Sequence, residues 1–180
     1  LRPDSVKAAR QQHFEDGSLD SEGLSAVEDV AIRDAVAMQE SLGLSAVTDG
    51  EYRRSFWHYD FMGALEGLDL VERREAGVQF HGVNLRPIFP TITGRLGFPK
   101  DHPMLDHFRY LDSVTTLTAK ISIPGPSACH FRTALTDIAP VAYQDPEVFF
   151  DDIAQTYKQA VEAFYDAGCR YLQMDDIFFA

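Results

Sequence analysis

The sequence predicts an α/β protein with a parallel sheet, of a size that fits roughly the N-terminal half of a (β/α)8 TIM barrel. Three observations predict it. Long amphipathic segments alternate with short apolar runs in the order helix, strand, excursion, helix, strand, helix, strand. Such alternation implies βαβ units with right-handed crossovers. Each apolar run also ends in polar or turn residues, at Asp49-Gly50-Glu51, Pro124-Gly125-Pro126-Ser127 and Asp175-Asp176, and parallel α/β folds carry their sites at that edge. Finally, the 180 residues offer three strands, whereas a complete barrel takes typically ~250 residues.

The first element is a helix over Leu24–Leu42. Its apolar positions Leu24, Val27, Ala31, Ala35, Met38 and Leu42 recur at spacings of three and four, acids cluster at its start, and Gly43 is placed to end it. "LSAVTDG" then reads as a short strand. Residues 58–99 are irregular, and "GVQFHGVNLRPIFPTITGRLGF" alternates with Gly and Pro interruptions, which suggests a bent hairpin or an excursion from the main sheet. A helix is expected around Met104–Val114, a strand over Thr118–Ile123, and a turn at 124–127. Asp145 caps a further helix with Pro146 at its first position. That helix carries the stripe Phe149, Ile153, Tyr157, Ala160, Val161 and Phe164 and stops at Gly168. "CRYLQMDD" is the last strand.

Composition bounds the function. Hydrophobic residues make up 45% of the chain, enough for a sizeable core and against disorder. One domain is expected over residues 1–180. A net charge of −12 argues against a nucleic-acid partner, since phosphate binding needs a concentrated basic surface. No run approaches the roughly 18 apolar residues of a membrane span, and no signal peptide opens the chain. Cys129 and Cys169 form neither a disulfide framework nor a zinc knuckle. A cytoplasmic enzyme is the expectation, and an oligomer is compatible with it. Leu1 is not an initiator Met, and Ala180 follows closely on a strand, so the 180 residues are expected to belong to a longer polypeptide. Alone, they are expected to aggregate, because a partial barrel exposes sheet edges.

The strand ends supply the candidate site. In "TDGEYRRSFW", Asp49 and Glu51 could take a substrate ammonium while Arg53 and Arg54 clamp a carboxylate, with Trp57 walling the pocket. The structural alternative is an ion-pair cluster closing the rim. Asp175 and Asp176 are adjacent, so on a strand they point to opposite faces; Asp175 is favoured for substrate, with a helix cap as the alternative. Ser127 of the "PGPS" turn could contact substrate or merely shape the chain. Cys129 and His130 diverge too far on a helix to share one ion, and the remaining histidines show no zinc spacing. Cys169 reads as core. Residues 1–180 therefore present no complete metal site, and no catalytic residue is assigned.

"LRP", "TDGEYRR", "RPIFP", "IPGPS" and "GCRYLQMDD", taken as an ordered set, resemble the cobalamin-independent methionine synthase family. The likeness is to its carboxyl-terminal catalytic barrel and to the shorter stand-alone homologues, and it covers nearly the whole chain. The resemblance implies a barrel of the methionine synthase and uroporphyrinogen decarboxylase type. It implies transfer of a methyl group from a methylfolate to a thiol such as homocysteine, with zinc activating the thiol. Glu51 matches the family glutamate that contacts the amino-acid substrate, and Asp175 the aspartate that holds its amino group. Asp49 stands where true methionine synthases commonly have His, and Asp176 where they usually have Glu. The segment after Glu51 lacks the family's Pro and Asn-Asp. The family's zinc ligands, a His-x-Cys pair with a later Glu and Cys, are expected downstream of Ala180. Alternatives are a uroporphyrinogen-decarboxylase-like enzyme, a methyltransferase for another thiol, or a non-catalytic amino-acid-binding relative.

Overall fold

The structure is a computed structural model that describes residues 2–72, 88–130 and 142–177. Its elements are α1 (Asp4–Phe14), α2 (Ser21–Ser41), β1 (Ala46–Val47), α3 (Tyr59–Met62), β2 (Glu66–Glu72), β3 (Ile88–Gly97), α4 (Pro103–Ser113), β4 (Thr118–Pro124), α5 (Pro146–Asp166) and β5 (Tyr171–Asp175), with a short 3-10 turn at Pro126–Cys129. One sheet has the order β1-β4-β5, and a second pairs β2 with β3. β1 runs parallel to β4, with Ala46 opposite Thr118 and Val47 opposite Ala119. The result is a mixed α/β fold, as the alternation of helices and apolar runs requires.

The described residues fall into two compact units. The first comprises residues 1–55, 105–121 and 164–173. Here α2 starts at Asp20, whose side chain accepts the Gly23 amide at 2.8 Å, a regular N-cap. The buried face of α2 is Leu24, Ala31, Ile32, Ala35 and Val36, and the same unit buries Val6, Ala9, Val47, Phe108, Leu111, Ala119 and Ile121. α1 is not among the sequence-based expectations. Only Val6 and Ala9 of its eleven residues are buried, so its apolar stripe is too thin to stand out from a charged segment.

The second unit comprises residues 56–104, 122–163 and 174–180. Its hairpin pairs β2 and β3 antiparallel from Leu68 opposite Ile92 to Glu72 opposite Ile88, with an irregularity between Glu66 and Leu68. The quoted stretch from Gly77 onward lies partly outside the described residues. α5 begins as expected: Asp145 Oδ1 accepts the Glu147 amide at 2.9 Å and Pro146 takes the first helical position. Phe149, Ile153, Tyr157 and Ala160 of its stripe are buried, with Phe61, Met62, Leu68, Ile92 and Ile123 in the same unit. Arg95 on β3 donates to both oxygens of Asp152 on α5, at 2.5 and 2.8 Å. Among the described residues no helix is long and apolar enough to cross a membrane.

Candidate functional site

In the first unit the site grows from the end of β1. Gln39 of α2 grips Thr48 twice: its Nε2 donates to the Thr48 carbonyl at 2.9 Å, and its Oε1 accepts the Thr48 amide at 3.0 Å. The chain then turns sharply. Gly50 has φ 66° and Glu51 φ 57°, and the Tyr52 amide reaches back to the Asp49 carbonyl at 3.4 Å. Two successive left-handed residues are the mark of a type I′ turn. Glycine suits the first of them on steric grounds as well, since a Cβ there would stand 2.7 Å from the Tyr52 ring and the ring would have to shift. Asp49 is 3% exposed, and its Oδ1 accepts the Glu51 amide at 2.9 Å. Its carboxylate faces the turn itself.

The four charged residues predicted here are brought together, each with a different surrounding. Glu51 keeps a side chain 42% exposed, with Oε1 3.5 Å from Arg54 Nη1. Arg54 is buried. Arg53 donates to Asp29 and, at 3.4 Å, to Glu28, and its guanidinium lies 4.8 Å over the Tyr110 ring. Glu28 is buried on α2 and also accepts from Arg10 at 3.0 Å. Burial raises its carboxyl pKa, against the pull of the Arg10 hydrogen bond and of the Arg10, Arg53 and Arg2 charges. Arg10 also donates to the Arg53 carbonyl at 3.2 Å and to Ser55 Oγ at 2.6 Å. Arg2 donates to the carbonyls of Glu51, at 3.2 Å, and of Arg54.

In the second unit the "PGPS" turn is built against the end of β5. The Gly125 amide donates to the Asp175 carbonyl at 2.9 Å. A Cβ on Gly125 would meet Asp176 Cβ at 2.7 Å, so the Gly at this turn answers to the close approach of Asp176. Ser127 Oγ donates to Asp176 Oδ1. From below, Tyr157 Oη donates to the Gly125 carbonyl at 3.0 Å, and Cys129 Sγ lies 4.0 Å from the same hydroxyl. Burial pushes the Cys129 thiol up to about 12 and raises Tyr157 as well. Burial lowers His130, partly offset by the Asp176 charge. Trp57 is half-buried, its ring 4.5 Å from that of His58. Asp175 closes β5 and is half-buried.

The zinc that the resemblance implies finds no fit here. Among the described residues no group of three or more His, Cys, Asp or Glu is arranged to hold a metal ion, and Cys129 stays a buried thiol. Arg2, Arg10, Glu28, Asp29, Gln39 and Tyr110 escape a reading of the sequence as site residues, because they meet the loop across separations of 9 to 57 residues. Local periodicity shows none of these pairings.

An α/β scaffold with charged loops at its strand ends defines the class. Residues 3–180 match the family described as cobalamin-independent synthase, catalytic domain, and the chain belongs to that family. It is 41% identical over 177 residues to YxjH of Bacillus subtilis strain 168, across 98% of this chain and 45% of that protein. To YxjG of the same organism it is 39% identical over 181 residues, across 100% of this chain and 47% of that protein. The chain thus spans about half the length of the curated relatives it matches. A crystal structure from Listeria monocytogenes, assigned to the vitamin-B12-independent methionine synthases, superposes with a TM-score of 0.77 at 34% identity, covering 98% of this chain and 49% of that one. A B12-independent methionine synthase from Shewanella sp. W3-18-1 in complex with selenomethionine superposes at 0.62 and 22% identity, covering 87% and 43%. That second likeness concerns the fold.

Proposed function

We propose that this chain carries the amino-acid-binding part of a methyltransferase that moves a methyl group from a methylfolate-type donor to a thiol such as homocysteine. Membership of the cobalamin-independent synthase family supports methyl transfer at the level of the family. The observation that carries the amino-acid reading is Glu51, a half-exposed carboxylate on a left-handed turn whose amide is held by Asp49. A carboxylate presented on a fixed backbone suits an ammonium group, because charge-assisted hydrogen bonds reward pre-set geometry. The selenomethionine complex of the Shewanella relative is consistent with such a ligand. Asp175 is proposed as a substrate residue on the strength of the family resemblance, with Asp176 and Ser127 fixing the turn beside it.

Arg53 already serves two carboxylates, Glu28 and Asp29. This favours an amino-acid site over the arginine clamp that a polycarboxylate substrate would need. The order β1-β4-β5, in which strands outside the hairpin join the sheet in sequence order, is compatible with part of a barrel, and the barrel reading rests on the family. Activation of the acceptor thiol, ordinarily of pKa ~8.5, is not assigned to any described residue. A cytoplasmic location is part of the same proposal.

Calorimetric titration of the full-length protein with L-homocysteine tests the assignment. Glu51→Gln and Asp175→Asn are each expected to weaken binding by about thirtyfold, from ~2 kcal/mol for a hydrogen bond to a charged group. Wild-type affinity in both variants would overturn the amino-acid site.

A further inference from the structure

Three carbonyls of the strand-end loop, those of Glu51, Arg53 and Arg54, accept from guanidinium groups at the start of the chain. Arg2 Nη2 reaches the carbonyls of Glu51, at 3.2 Å, and of Arg54. Arg10 Nη1 reaches that of Arg53 at 3.2 Å, while Glu28 and Ser55 hold Arg10 in place at 3.0 and 2.6 Å. All of these residues lie in one compact unit. Glu51 itself has φ 57°, and a non-glycine residue stays there only where its surroundings over-determine the backbone. The surroundings that do so are visible. Asp49 Oδ1 holds the Glu51 amide and Arg2 holds the Glu51 carbonyl, so charged side chains fix the peptide groups on both sides of one Cα. Fixing φ and ψ of Glu51 fixes the direction of its Cα–Cβ bond and hence the region its carboxylate can reach through its own rotamers.

We propose that Arg2 is a positioning residue for Glu51, holding the loop carbonyls so that the Glu51 carboxylate is aimed at the ammonium of the bound amino acid. This rests on the reading of Glu51 as a substrate contact. A residue that only tied down the N-terminal segment would affect stability, and any effect on affinity would be independent of Glu51. A positioning residue acts through Glu51 and has nothing to act on once that carboxylate is gone.

A double-mutant cycle separates the two roles. Dissociation constants for L-methionine are measured calorimetrically on the full-length protein, for the wild type, Arg2→Ala, Glu51→Gln and the double variant. The expectation is about tenfold weakening for Arg2→Ala, about thirtyfold for Glu51→Gln, and no more than the Glu51→Gln loss in the double variant. Losses that multiply to about 300-fold would overturn the proposal. So would unchanged affinity in Arg2→Ala beside weakened affinity in Glu51→Gln, an outcome that leaves the substrate reading intact. Unchanged affinity in Glu51→Gln would remove the substrate reading and the proposal with it. Arg2→Lys, which keeps the charge but carries its nitrogen on a side chain one atom shorter than the path to Arg2 Nη2, is carried through the same cycle. It supplies the measurement should Arg2→Ala not fold.

Discussion

Glu51 occupies a conformation that most residues avoid, and the cost has a direction that can be measured. With φ at 57°, an L side chain brings Cβ against the following carbonyl, roughly 1–2 kcal/mol. Glycine escapes that clash but carries more freedom in the unfolded chain, roughly 0.5–1 kcal/mol. The difference of the two midpoints predicts that Glu51→Gly stabilises the protein by about 0.75 kcal/mol. The Glu51–Arg54 pair lost in the variant is long, at 3.5 Å, and open to solvent on its Glu51 side although Arg54 is buried, so it offsets only part of that gain. The same substitution removes the carboxylate proposed to bind the amino acid. Chemical denaturation and L-homocysteine titration of one variant should therefore move in opposite directions, with stability up and affinity down. A loss of both would mean that the Glu51 side chain serves the fold. At Gly125 the constraint differs: φ is −68°, an ordinary value, and the limit comes from Asp176 standing where a Cβ would be.

At the scale of elements, α4 is started by a buried titratable group. His102 Nδ1 accepts the Met104 amide at 3.2 Å, while Nε2 sits 3.0 Å from the Phe61 carbonyl. The ring therefore carries its proton on Nε2 and stays neutral, stacked on Phe98 at 4.9 Å. Burial lowers its pKa from the ordinary 6.5, only partly offset by the Phe61 hydrogen bond and the Asp101 charge. The unfolded chain thus binds this proton first as pH falls. The stability from a neutral His102 is complete above pH 6.5 and is lost progressively below it. Urea unfolding between pH 7.5 and 5 should show this slope, and His102→Asn, which can cap without titrating, should remove the His102 share of it. An identical slope in the variant would place the titration elsewhere. Other elements were legible beforehand to different degrees. α2, α4 and α5 show in the sequence because their apolar stripes and caps are local, and β4 and β5 because their apolar runs end in turn chemistry. α1 did not show, having two buried residues. The candidate site was half legible: Glu51, Arg53, Arg54, Ser127 and Asp176 stand out as strand-end polar residues. The partners that hold Arg53, namely Glu28, Asp29 and Tyr110, come from helices 24 or more residues away.

For the molecule as a whole, the deciding quantities are the strand edges and the net charge. In the described sheet β1 and β5 stand at the two ends, and β1 offers only two paired residues. Near the β5 edge Tyr171, Met174 and Ile177 are exposed, and an end strand beside exposed apolar side chains is the pattern that templates pairing with another chain. Relatives about twice as long have additional chain with which to cover such an edge. A net charge of −12 works against association, but its repulsion between exposed charges is largely screened beyond about 10 Å at 0.1 M salt, whereas edge pairing acts at contact. Edge pairing should therefore win once salt is present. A polypeptide of residues 1–180 made by itself is expected to self-associate at micromolar concentration, increasingly so as salt is raised. A protein extended to the relatives' length should remain monodisperse under the same conditions. Sedimentation velocity across a salt series distinguishes the cases. A 20.2 kDa monomer at every salt concentration, with a single cooperative melt, would mean that these residues close their own edges, and the half-barrel reading would fall with that result.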